Sequence, residues 1–195
     1  MVSLAQNVSA VILSGGNSSR MGTCKADLIW GEKTLLQHQV DKIKQLGITD
    51  IIISGYASHI EGTRFIEDIY LGKGPLSGIH AGLDAALHPH CLVSGIDTPL
   101  VPENAILNLI ETHLKQSLPA TVLAHNNNIE PIIAVYDSSL CSLAEQILSG
   151  ENVSVRQLLN RGGFSRYFFE GDESLLLDCN TPDDFLKAQS FITTN

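Results

Sequence analysis

Val11-Ile12-Leu13-Ser14-Gly15-Gly16-Asn17-Ser18-Ser19-Arg20-Met21-Gly22-Thr23-Cys24-Lys25 runs from an apolar strand into a small, glycine-bearing loop that carries two cations. Gly15 and Gly16 can take backbone conformations closed to other residues, so peptide N–H groups can approach an anion there. Arg20 and Lys25 add positive charge on the same loop. The stretch therefore reads as a phosphate cradle at the carboxyl end of a first strand, in preference to a glycine pair that merely closes a tight strand-to-helix turn.

Outward from this loop, strand and helix patterns alternate, which predicts an α/β domain with a largely parallel sheet. Val8 to Leu13 is the first strand. Apolar residues at Leu36, Val40, Ile43 and Leu46 have helical spacing over 35–46, ended by Gly47, and Asp50 to Ser54 resumes as strand. Arg64 to Glu67 is a short strand, followed by the glycine-rich turn Gly72-Lys73-Gly74-Pro75-Leu76-Ser77-Gly78 and a helix near Ile79 to Leu87. Cys91 to Gly95 is strand, and Pro102 and Glu103 open a helix to about Leu114. Ala120 to Ala124 and Pro131 to Tyr136 form a hairpin-like antiparallel pair turned at Asn126-Asn127-Asn128. Ser138 to Leu148, Val153 to Asn160 and Pro182 to Phe191 read as helices, with Leu175 to Leu177 as a last short strand.

Composition sets the outer limits. The 195 residues suit one domain, 1–195, large enough to bury roughly 70% of its unfolded surface. Lys and Arg number 12 against 21 Asp and Glu, a net charge of −9, which argues against a general nucleic-acid binder. The four cysteines, Cys24, Cys91, Cys141 and Cys179, lack a CxxC pair, and no leader pattern opens the chain, so a reduced, cytoplasmic protein is expected. No apolar run reaches the ~20 residues needed to cross a bilayer, so membrane insertion is not expected. The seven histidines lack a compact metal spacing. His88 and His90 flank Pro89 and read as loop residues, and no zinc site is expected.

In an open α/β sheet, ligands bind outside the carboxyl ends of the strands near a topological switch point. The first loop and Ile96-Asp97-Thr98-Pro99 are both expected there. Two common nucleotide signatures fail. After Gly22 comes Thr23-Cys24-Lys25 rather than the Gly-Lys-Ser/Thr of a P-loop, and Gly15-Gly16 does not begin G-x-G-x-x-G.

Leu13-Ser14-Gly15-Gly16, Arg20-Met21-Gly22 and Lys25 resemble the signature loop of the nucleotidyltransferase superfamily, specifically the molybdenum cofactor guanylyltransferase family. The resemblance extends along nearly the whole chain through Phe65-Ile66-Glu67-Asp68, Gly74-Pro75-Leu76-Ser77-Gly78-Ile79, Ile96-Asp97-Thr98-Pro99, Glu130-Pro131-Ile132-Ile133-Ala134 and Asn180-Thr181-Pro182-Asp183. The order of these motifs is more specific than any one of them. The resemblance implies a single-domain, three-layer, Rossmann-like nucleotidyltransferase fold with a mostly parallel central sheet. It implies transfer of GMP from GTP to molybdenum-molybdopterin with release of pyrophosphate, Mg²⁺ as cofactor, and transient contact with cofactor-assembly or acceptor proteins.

Carried over by the same likeness, Arg20, Lys25 and Asp97 would be catalytic, with Asp97 on the metal. Leu13, Ser14, Gly15, Gly16, Lys25, Ser54, Asp68 and Asp97 would contact GTP. Such chemistry needs cations and oriented N–H groups to offset phosphate repulsion and the charge developing on pyrophosphate, and a carboxylate to hold a hard dication. Asp97 could also cap the following helix, Arg20 and Lys25 could be solvated surface charges, and Asp68 could be an ordinary loop acid. Arg156 and Arg161 are acceptor candidates, although an amphipathic helix with exposed arginines explains them as well. Asn180-Thr181-Pro182-Asp183 reads first as a helix start, with Thr181 as N-cap and Pro182 at the first helical position.

The chain departs from the pattern at Ser14, where relatives often carry Ala, and at Ser54, where an Asn can follow the second strand. Related cytidylyltransferases typically have Ala-Ala-Gly in place of Ser14-Gly15-Gly16, so the glycine pair leans toward guanine. Cytidylyl transfer, a sugar-phosphate acceptor and a noncatalytic GTP-binding regulator remain as alternatives. The retained Lys25 and Asp97 weigh against the regulator, and the short chain weighs against the sugar-phosphate acceptor.

Overall fold

The structure is a computed structural model and describes residues 7–15 and 24–191. Its centre is a seven-stranded sheet in the order β5-β4-β1-β6-β8-β7-β9. The strands are β1 (Val8–Leu13), β4 (Asp50–Ser54), β5 (Thr63–Ile66), β6 (His90–Gly95), β7 (Ala120–His125), β8 (Asn128–Asp137) and β9 (Ser165–Phe168). A separate two-stranded ribbon pairs β2 (Ile29–Trp30) with β3 (Lys33–Thr34). In the main sheet only β8 runs against the others: β1, β4, β5 and β6 are mutually parallel, β8 is antiparallel to β6 and β7, and β9 is parallel to β7.

Both faces of the sheet are covered, which is why its central strands are continuously apolar rather than alternating. Val8, Ala10, Ile12, Ile51 and Ile53 pack toward α1 (Leu35–Gln45), α3 (Glu103–Leu114) and α6 (Pro182–Ser190). Val11, Ile52 and Val93 pack on the opposite face toward α2 (Pro75–Ala85), α4 (Cys141–Leu148) and α5 (Val155–Gly162). Ile51-Ile52-Ile53 thus feeds two cores, each buried side chain contributing roughly 1.5–3 kcal/mol. Among the described residues, no helix is long and apolar enough to cross a membrane.

Three expectations are corrected. Residues 175–177 are not a strand: Glu173–Leu176 forms a 3₁₀ turn capped by the Asp172 side chain, which accepts from Ser174 N–H at 2.8 Å. The last strand is instead β9, at an edge of the sheet beside β7. The helix expected near Ile79 starts four residues earlier, with Pro75 in its first turn, where the missing N–H has no intrahelical partner to lose.

At the amino end of β4, Asp50 anchors three segments. Ser9 Oγ donates to it at 2.6 Å, Leu87 N–H at 2.9 Å and Arg64 Nη2 at 2.6 Å. Burial alone would raise the Asp50 pKa, but these donors outweigh it and hold the carboxyl below its ordinary value. The associated stability is present in full above the ordinary carboxylate range and is lost as the pH falls through the lower folded-state pKa. Asp50→Asn is expected to cost about 2 kcal/mol by urea unfolding at pH 7. The difference from the wild type should shrink on acidification, and a pH-independent difference would refute this role.

Candidate active site

The order of the sheet makes β1 the switch strand, with β4 on one side and β6 on the other. The chain leaves β1 and builds outward through β4 and β5, then returns to β6. A crevice opens at the carboxyl ends of these strands. There a cleft of about 240 Å³ is lined by Leu13, Gly15, Ser54, Asp68, Gly95, Asp97 and neighbouring residues from the Gly72–Gly78 turn and β8.

Each wall has a local cause. Ser14 N–H and Ser14 Oγ both donate to the Ser54 carbonyl, at 3.0 and 2.9 Å, tying the loop after β1 to the end of β4. The Ser14 hydroxyl is thereby committed to this tie. Gly55 has φ +82°, and a Cβ there would lie 2.4 Å from Gly15 Cα, so the two glycines are what let these loops touch. Ser54 Oγ donates to Asp68 Oδ1 at 2.6 Å and fixes that carboxylate on the cleft wall. A Cβ on Gly78 would come within 2.6 Å of Ser54 Oγ, so the first turn of α2 packs directly behind the pair.

The opposite wall carries Asp97. Ile96 N–H donates to the Leu13 carbonyl at 3.1 Å and Cys179 N–H to the Asp97 carbonyl at 2.8 Å. Gln39 Nε2 and Thr98 Oγ1 both donate to the Gly95 carbonyl, at 3.1 and 3.2 Å. The Lys42 ammonium donates to the carbonyls of Pro99 and Val101, at 2.5 and 3.1 Å, and burial lowers its pKa to about 8. The loop that bears Asp97 is therefore held at several backbone points.

Lys25 Nζ donates to Asp97 Oδ2 at 3.2 Å and to Asn180 Oδ1 at 2.8 Å. Lys25 and Asp97 are only 15% and 21% exposed, so the pair lies in the cleft wall rather than on open surface. Asp178 stands close: burial, followed by the charge of Asp97, pushes its pKa up, and Glu130 is raised by burial and by Asp178 in turn. This acidic group faces Lys25 at one end and Arg156, whose charge offsets that of Glu130, at the other.

β8 shapes the rim. Val122 pairs with Ala134 but Leu123 pairs with Glu130, so Pro131-Ile132-Ile133 bulge against one step of β7. Pro131 has no N–H to lose at a bulge, and its carbonyl accepts from the buried Tyr136 hydroxyl at 2.7 Å. The bulge brings Ile132 over the cleft beside Gly95.

Leu13, Gly15, Ser54, Asp68 and Asp97 thus come together at one cleft, and Lys25 joins through its bond to Asp97. Gly16 and Arg20 lie outside the described residues. Arg156 lines a second cavity with Asn128, Asn160 and Arg166, whereas the Arg161 guanidinium bonds Gln146 Oε1 at 3.4 Å on the α4 side. Asn180 is the site residue that sequence reasoning underrated. Thr181 does cap α6, in a capping box with Asp184, but Asn180, just before it, turns to Lys25.

A family model described as a MobA-like NTP transferase domain matches residues 10–165, from β1 through the first residue of β9. The chain belongs to the MobA-like NTP transferase family. It is accordingly a nucleotidyltransferase. It is 31% identical to the molybdenum cofactor guanylyltransferase of Yersinia pestis, over 91% of this chain and 93% of that protein. It is 26% identical to the molybdenum cofactor guanylyltransferase of Rhizobium johnstonii, over 95% and 93% of the two chains. The crystal structure of molybdopterin-guanine dinucleotide biosynthesis protein A from Archaeoglobus fulgidus superposes with a TM-score of 0.83 at 23% identity, covering 96% of this chain and 100% of that one. That likeness shows a shared nucleotidyltransferase fold.

Within this MobA-like cleft, a Cβ on Gly95 would lie 2.5 Å from Asp97 Oδ1 and 3.0 Å from Ile132 Cδ1. Gly95→Ala is therefore expected to displace the Asp97 carboxylate and lower turnover about tenfold or more, with the fold retained by circular dichroism. Wild-type turnover in this variant would show that the carboxylate position is not critical.

Proposed function

We propose that this enzyme transfers GMP from GTP to the terminal phosphate of molybdenum-molybdopterin. An acceptor phosphate oxygen forms a bond to the α-phosphorus of GTP, and the α–β phosphoanhydride bond breaks to release pyrophosphate. The observation that carries this reading is the single cleft lined by Ser54, Asp68 and Asp97, with Lys25 bonded to Asp97. It offers a cation and a metal-binding carboxylate for a triphosphate and a pinned carboxylate acceptor for base or ribose. The names of the relatives from Yersinia pestis and Rhizobium johnstonii support the same substrates.

The donor set fits Mg²⁺. Asp97 and the nearby Asp178, whose pKa is raised by burial and then by the charge of Asp97, supply hard carboxylate oxygens whose mutual repulsion a dication relieves. Asp97 would hold the ion, which supplies charge neutralisation between phosphate oxygens when bound. Lys25 is placed to pair with phosphate oxygens as it exchanges one carboxylate partner for another anion. The Gly15 loop, held to Ser54 and Gly55, brings backbone close to the nucleotide. Asp68 accepts hydrogen bonds, and guanine presents adjacent N–H donors that cytosine lacks. Arg156, whose charge acts on Glu130, would meet the anionic acceptor from the neighbouring cavity, with Arg20 adding charge on the loop. Transient contact with cofactor-assembly proteins would deliver that acceptor.

The test is incubation with Mg²⁺, molybdenum cofactor and α-labelled GTP or CTP, with detection of labelled dinucleotide. Labelled product from GTP, abolished by EDTA, is expected. Preference for CTP would overturn the guanine assignment, and transfer to a sugar phosphate in its place would overturn the acceptor.

A further inference from the structure

His90, His113 and Asp137 converge at the end of the sheet away from the cleft. His90 opens β6 and Asp137 closes β8, and the antiparallel register sets them opposite each other. His113 reaches them from the last turn of α3. His90 Nδ1 lies 2.7 Å from Asp137 Oδ1, His113 Nε2 lies 3.0 Å from the same oxygen, and the two nitrogens are 3.2 Å apart. We propose that this triad binds a divalent transition cation, zinc by its chemistry, through His90 Nδ1, His113 Nε2 and the Asp137 carboxylate, with water completing the shell.

The relay behind His113 is compatible with an ion at this point. His113 Nδ1 lies 3.1 Å from Thr121 Oγ1, which lies 2.8 Å from Ser165 Oγ, and either hydroxyl of that pair can donate. In the arrangement where Ser165 donates its one hydrogen to the Ala120 carbonyl at 3.4 Å, Thr121 donates to Ser165 and accepts from His113 Nδ1. A neutral His113 then presents Nε2 as a lone pair toward the Asp137 carboxylate oxygen, and a cation between the two turns that repulsion into shared coordination.

The surroundings suit such a site. The hydroxyl relay behind His113 orients the ring as outer partners orient metal-bound imidazoles. The two rings meet edge to face at 78°, so their donor atoms approach from different directions. Tetrahedral zinc, with bonds of about 2.0–2.1 Å, sets donors about 3.3 Å apart, and the gaps in the triad open to that by well under an ångström. His113 is buried, whereas His90 and Asp137 are 29% and 28% exposed and leave an approach for the ion and its water. The donor mixture of two imidazoles and one carboxylate selects zinc or its neighbours over Mg²⁺. The position is separate from Asp97, at the opposite end of β6, a strand of about 20 Å.

The full chain, stripped by a chelator, is titrated with Zn²⁺ against a chromophoric chelator in the wild type and in His90→Ala, Asp137→Asn and Asp97→Asn. One zinc per chain with micromolar or tighter affinity is expected, weakened about tenfold or more by either triad substitution and unchanged by Asp97→Asn. Zinc should also raise the melting temperature of the wild type, and Co²⁺ should give a visible absorption band that both triad variants lose. His90 is partly exposed and Asp137→Asn preserves shape, so both variants are expected to keep the wild-type circular dichroism. Absence of zinc binding in the wild type, or wild-type zinc affinity in both triad variants, overturns the proposal.

Discussion

Asp97→Asn is expected to lower turnover about a thousandfold, close to 4 kcal/mol of barrier, with little change in thermal stability. The substitution keeps the shape of the side chain and its contact with Lys25, since the amide oxygen can still accept from Nζ. What it removes is the charge that, in the proposed reaction, would hold a dication against the phosphates. The loop carrying it is fixed by Ile96, Gln39, Thr98, Lys42 and Cys179, none of which bonds the Asp97 carboxylate. Steady-state kinetics at saturating nucleotide, alongside a melting curve, separate the two effects. Retained turnover in a folded variant would take Asp97 out of the chemistry.

Lys25→Ala is expected to lower kcat/KM about a hundredfold and to weaken nucleotide binding as well as turnover. It should also leave Asp97 without its counter-ion and Asn180 without a donor. Divalent-ion affinity of the nucleotide-free enzyme should therefore rise as nucleotide affinity falls, an opposition that simple loss of packing would not produce. Lys25→Arg is expected to rescue only part of the loss, because a planar guanidinium cannot reproduce one ammonium point shared by two partners. Activity equal to wild type in Lys25→Ala would reduce the residue to a surface charge.

The parts of the fold that were legible in the sequence are those where both sides of an element are buried. Val8–Leu13, Asp50–Ser54 and His90–Gly95 are near-continuous apolar runs whose ends coincide with polar or glycine residues. The edges were less legible. Ser165-Arg166-Tyr167-Phe168 follows Gly162-Gly163 and is only half-covered, so its pattern suggests a loop, while Leu175-Leu176-Leu177 looks like a strand but has no neighbour to pair with. The site follows the same division. Asp97 could be placed because a strand end precedes it. The approach of Asn180 to Lys25 spans 155 positions and is decided by where α6 packs. The histidine cluster was hidden for a similar reason: His90, His113 and Asp137 are spread over three elements, and His90 belongs to β6 rather than to a loop.

The contact between Gly15 and Gly55 has a consequence for how such an enzyme can change. A methyl group on Gly55 would lie 2.4 Å from Gly15 Cα, whereas one on Gly15 would lie 3.1 Å from Gly55 Cα, so Gly55 is closed to substitution for as long as the loop after β1 keeps its place. A lineage or a designer wishing to remodel the rim of the cleft at one loop must first withdraw the other, passing through a variant whose loops no longer touch. The shape of the cleft is thus guarded less by the residues that line it than by a close backbone contact behind them.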